Sequence, residues 1–114
     1  MSSVRYRFAV IGATTDGCST AHASQPTRRL IRVDFTDKAT TKLAVDWLDY
    51  RGIRERFFML SPGETRAVNA YVGDAWLVTD THGCVGTFTS TESSHITVEP
   101  LSGTASSTKA AKKG

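Results

Sequence analysis

From residue 30 onward the chain alternates. In "LIRVDFT" the apolar Ile31, Val33 and Phe35 trade places with Arg32, Asp34 and Thr36. That period of two is the mark of a half-buried β-strand. "KLAVDWLDY" (42–50) predicts a second strand with apolar residues on both faces, Leu43, Val45 and Trp47 on one and Leu48 and Tyr50 on the other. Such a strand is either central to a sandwich or has one face open for binding. Further strands are predicted over "RERFFML" (54–60), "TRAVNAYV" (65–72), "AWLVTD" (75–80), "CVGTFT" (84–89) and "HITVEPL" (95–101). The breaks between them carry turn chemistry. Arg51-Gly52 and Gly73-Asp74 turn the chain through glycine, and Pro62-Gly63 fits the middle of a type II turn. Seven short strands with no helical period predict an all-β fold, a seven-stranded antiparallel β-sandwich.

The 114 residues suffice for one domain, placed at 26–101 by this pattern. Residues 1–25 are rich in Ser, Thr, Ala and Gly and are expected to be a flexible N-terminal segment. They also carry a weak signal-peptide pattern: Arg5 and Arg7 precede the short apolar run "FAVIGA", and Ala21-His22-Ala23 resembles a cleavage site. Asp16 interrupts it, so a cytoplasmic location is favoured while a secreted or periplasmic one stays open. Residues 102–114, "SGTASSTKAAKKG", are expected to be a disordered basic tail. Charge follows the same division. The net +3 and the pI near 9.1 come from the two flanks, whereas the middle sums to −1. A nucleic-acid-binding fold needs its positive charge on the folded surface, which argues against that function. No apolar run approaches the roughly eighteen residues of a membrane span.

Catalytic chemistry finds little support. Asp46 and Asp49 fall on opposite faces of a regular strand, no serine sits in a nucleophile elbow, and no glycine-rich loop leads into a helix. The chain is expected to be no enzyme and to hold no cofactor. His82, Cys84 and His95 could approach one another, but their spacing matches no usual zinc site. Cys18 lies in the N-terminal segment and Cys84 in a strand, a placement that argues against a disulfide framework. What stands out is the clustering of Trp47, Tyr50, Phe57, Phe58, Tyr71 and Trp76 on consecutive strands. These rings either fill the core or form a patch suited to an extended, proline-bearing peptide.

Read together, "WLDYRG", "LSPGET" and "GDAWLVTD", separated by seven residues each, resemble the von Hippel-Lindau β-domain family over roughly residues 28–101. The resemblance implies a seven-stranded β-sandwich. It also implies a site which, in animal members, holds a hydroxylated proline of the hypoxia-inducible factor α subunit between two tryptophans, a tyrosine, a serine and a histidine. By position Trp47 and Trp76 match the tryptophans, Phe57 the tyrosine, Ala70 the serine and Asp74 the histidine. Tyr71 matches a tyrosine beside the site. The apolar walls are kept and most polar groups replaced, so animal-like hydroxyproline selectivity is expected to be absent. Asp74 either points inward to accept a hydroxyl or, on its Gly-Asp turn, faces solvent. The helical domain that recruits elongin C in animal members has no counterpart after "HITVEPL", so no elongin C binding is expected. The implied function is peptide binding through Trp47, Phe57, Ala70, Tyr71, Asp74 and Trp76. The alternative is a secreted or periplasmic β-sandwich with a structural or surface-association role. On the resemblance, Trp47 becomes a wall of the site, and Leu48 and Tyr50 become core.

Overall fold

A computed structural model describes residues 6–18 and 23–101. Its seven strands are β1 (Tyr6–Asp16), β2 (Leu30–Asp37), β3 (Leu43–Leu48), β4 (Arg54–Leu60), β5 (Thr65–Tyr71), β6 (Ala75–Asp80) and β7 (Gly83–Pro100). The fold is all-β. Alternation does what it predicts on β2, where Ile31, Val33 and Phe35 are buried and Arg32 is exposed. The turns follow as well. Glu64 N–H donates to Ser61 O across Pro62-Gly63, and Gly63 sits at φ 86°, the left-handed position a type II turn requires.

The strands form two layers that share one long ribbon. The ladders run β4-β3-β6-β7 and β7-β2-β5, with β1 along the free side of β7. Residues 83–89 of β7 pair with β6, and Ser94–Val98 pair with β2. β1 accompanies both halves, Asp16 to Ala13 against Thr87 to Ser90 and Ile11 to Tyr6 against His95 to Pro100. The ribbon therefore passes from one layer to the other near Gly12, where the register shifts. Between the layers lies the core, centred on Val33, Phe35, Leu43, Val45, Leu60, Trp76, Val78, Phe88, Ile96 and Val98.

Three expectations are corrected here. First, the segment 1–25 is not a uniformly flexible lead-in, because it contains β1. Tyr6, Phe8 and Val10 alternate with Arg7, Ala9 and Ile11 and turn their half-buried side chains onto the core. Cleavage residues 21 and 22 lie outside the described residues, as does the tail 102–114. Second, "CVGTFT" and "HITVEPL" are not separate strands. The polar stretch between them continues as β strand because it bends with β1, and the β2–β7 ladder is parallel while the other five are antiparallel. Third, Cys18 and Cys84 form a disulfide. The pairing of Asp16 with Thr87 carries the chain on so that Cys18 arrives beside the start of β7. The pairing also takes Cys84 out of any zinc site, and no group of metal-ligating side chains occurs among the described residues.

Candidate functional site

On the side away from β1, strands β4 and β5 are the free edges of the two layers, and no ladder joins them. The site lies in that gap. Trp47 on β3 stands opposite Trp76 on β6 and opposite Glu55 on β4. Next to this row β4 carries a bulge: Asp46 pairs with Arg56 and Val45 with Phe58, leaving Phe57 without a partner. Both phenylalanines thereby reach the inner side. Phe58 enters the core against Phe35 at 5.8 Å, while Phe57, 46% exposed, touches Trp47 and Trp76 at 6.2 and 5.2 Å between ring centroids. Across the gap stand Asn69, Ala70 and Tyr71, the last residues of β5.

These side chains, with Tyr50 and Asp74 from the adjoining turns, line an open cleft of about 260 Å³. The cleft is smaller than the roughly 300–1,000 Å³ of sites for drug-sized ligands. It suits one ring or side-chain terminus better than a nucleotide cofactor. No serine, cysteine, lysine or histidine lines it. All six residues singled out from the sequence, Trp47, Phe57, Ala70, Tyr71, Asp74 and Trp76, meet here. So do the exposed aromatic rings of the described residues, Tyr50, Phe57 and Tyr71.

Trp76 settles the choice between core and wall by being both. It is 1% exposed, packs against Phe35 at 5.4 Å, and presents its other side to the cleft. Its Nε1–H has no hydrogen-bond partner among the described residues. Trp47 is half-buried, and its Nε1–H donates to Asp74 Oδ1 at 3.2 Å. Asp74 Oδ2 accepts the Tyr71 N–H at 2.8 Å. The carboxylate is only 5% exposed, so the solvent-facing alternative for this turn acid is overturned. Two N–H donors replace the water it would otherwise need.

Tyr50 is the other correction. Expected in the core, it is 54% exposed and stands edge-on to Trp47 at 5.5 Å. β3 ends at Leu48, and the parity of the strand no longer governs residue 50. The turn that carries it is fixed by Asp49, whose Oδ1 accepts the Ile53 and Arg51 N–H groups. These bonds, that of Ile53 foremost, hold the Asp49 carboxyl below its usual range.

Sequence reasoning missed Tyr50, Glu55 and Asn69 as lining residues, and Ser24 as a support. Glu55 and Asn69 are polar residues of edge strands, indistinguishable by pattern from an ordinary solvated face. Ser24 is buried between β3 and β6, its Oγ donating to Leu48 O and accepting the Ala75 N–H. It ties together the strand ends that carry Trp47 and Trp76. Gln25 N–H then bonds Gly73 O, strapping the segment before β2 across the β5–β6 turn.

Among known families, the VHL beta domain matches residues 23–95, from this strap through most of β7, leaving β1 outside the match. No curated protein matches the chain. VHL beta domains are substrate-recognition modules. With its seven-stranded all-β architecture, its two facing tryptophans and a match over most of its length, the chain belongs to the VHL beta domain family.

Proposed function

We propose that the chain is a non-enzymatic recognition module whose cleft between β4 and β5 holds an extended, proline-bearing protein segment. The observation that carries this reading is the meeting of two unpaired strand edges at an aromatic cleft. An edge strand offers unpaired N–H and C=O groups. An extended peptide takes them by strand addition and sends alternate side chains into the cleft. A pyrrolidine ring packs flat on aromatic faces at low entropic cost.

Hydroxyproline selectivity is no part of the proposal. Phe57 has no phenolic hydroxyl, Ala70 has no polar side-chain atom, and both Asp74 oxygens already accept hydrogen bonds. A site rejects the wrong ligand strongly only when its own polar groups would be left unpaired. The test is an amide-correlation NMR titration with matched proline and hydroxyproline peptides, followed at the indole signals of Trp47 and Trp76. Saturable shifts with affinities within about threefold of each other are expected. A tenfold gain on hydroxylation would overturn the lack of selectivity. Silence of both indoles with both peptides would overturn the groove itself.

A second reading concerns location. The Cys18–Cys84 disulfide favours an oxidising compartment, and with it a secreted or periplasmic role in surface association. Thiol alkylation of acid-quenched cells distinguishes the two. Protected cysteines support the extracytoplasmic reading, and full alkylation without reductant supports the cytoplasmic one.

A further inference from the structure

The lining of the cleft combines five aromatic rings and two carboxylates, Glu55 and Asp74, with no lysine, arginine or histidine. Among the described residues neither carboxylate forms an ion pair, although Asp34, Asp46, Glu64, Asp80 and Glu99 each do. Asp74 is nine-tenths buried, with only neutral donors on it. A buried charge without a counter-charge is costly, and a cation placed beside it offsets that cost.

The rings are arranged to receive one. Tyr50 stands at 88° to Trp47, and Phe57 at 40° to Trp47 and 78° to Trp76. Rings set at different angles wall the open cleft from more than one direction. Each ring face carries the negative end of its quadrupole, which attracts a cation lying within about 6 Å of the centroid. Donation of the Trp47 indole N–H to Asp74 pushes electron density onto that ring and deepens the attraction.

We infer that the cleft recognises a methylated ammonium group, a trimethyllysine-like side chain carried on the bound segment. The inference rests on the peptide-binding reading of the cleft and names a guest that takes the place of the pyrrolidine ring there. A bare ammonium is compact, strongly hydrated and in need of several acceptors, which aromatic walls do not supply. A methylated ammonium is bulky and weakly hydrated, so ring faces and distant carboxylates satisfy it. Glu55, exposed on β4 and opposite Trp47 across the β3–β4 ladder, draws the cation in, while Asp74 compensates it from below.

Tryptophan fluorescence titrations of the full chain test this. The probes are tetramethylammonium and one peptide made in four versions, with trimethyllysine, with its neutral carbon isostere, with unmodified lysine and with proline at the central position. Trimethyllysine is expected to bind about tenfold tighter than the isostere, since a partly desolvated cation–π contact is worth that much. Glu55→Gln, a conservative change at an exposed position, is expected to weaken the trimethyllysine peptide about threefold more than the isostere. Equal affinity of trimethyllysine and isostere would overturn the cation while leaving the groove standing, as would binding of the proline version alone. Failure of every peptide to bind would overturn both readings.

Discussion

At the scale of single residues, the buried acids show how local partners decide chemistry. Asp37, at the end of β2, is fully buried; Oδ1 accepts the Ala39 N–H at 2.9 Å and Oδ2 has no partner among the described residues. Burial pushes its carboxyl above the usual range, the Ala39 bond opposes this, and the charge of Glu64 adds to it. A raised carboxyl holds its proton more firmly folded than unfolded. Stability is therefore greatest below the unfolded pKa, falls as pH rises towards the folded value, and stays lower above it. Asp37→Asn is expected to remove that fall and to raise stability at neutral pH by about 1 kcal/mol. Chemical denaturation across pH checks it, and a less stable variant at pH 7 would contradict it. Asp74 is buried as well, but each of its carboxylate oxygens accepts an N–H. Trp47→Phe keeps a ring in the cleft but deletes one donor, at an expected cost of about 2 kcal/mol. Asp74→Asn in that background should recover part of the loss in a double-mutant cycle, whereas strict additivity would deny the coupling.

At the scale of elements, β1 and its disulfide matter most. β1 pairs with β7 along almost its whole length, and the Cys18–Cys84 bond closes a loop of 66 residues. Chain-entropy arguments give such a cross-link an upper value of about 4 kcal/mol. Reduction, or Cys18→Ser with Cys84→Ser, is expected to lower stability by up to that amount, measured by thermal melting with and without reductant. An unchanged midpoint would mean that β1 stays docked without the link. Gly12 is the hinge of the ribbon. It sits at φ 79°, and a Cβ there would collide with Ser93 O, a backbone atom that cannot swing aside. Gly12→Ala is expected to cost at least about 2 kcal/mol. A smaller loss would show that the bulge can relocate. β1 was legible in the alternation of Tyr6, Phe8 and Val10, but the small residues that follow them hide it.

At the scale of the whole molecule, the two layers are joined on one side and open on the other. β7 has neighbours on both sides over residues 87–89 and 95–98, whereas β4 and β5 each leave one side unpaired. Amide exchange should reflect this. Phe88, Ile96 and Val98 are expected to exchange only through global unfolding, and the free-edge amides of β4 and β5 through local opening. Bound peptide should slow exchange on β4 and β5 selectively, and uniform protection would argue against a site at the mouth.

The all-β class, the turns at Gly52, Gly63 and Gly73, and the buried stripe of β2 follow from the sequence alone, because period-two alternation and glycine φ preferences act over a few residues. The aromatic set of the site was legible for a related reason, since large rings on neighbouring strands either share a core or share a face. Tertiary structure decided the rest. Tyr50 became a rim residue when β3 ended two positions earlier. Phe57 turned inward only through a bulge against β3. Asp74 was buried by an indole 27 residues away in sequence, and Cys18 met Cys84 through the register of β1 on β7. Each of these depends on which strand lies beside which, a choice made by long-range pairing that no local pattern encodes.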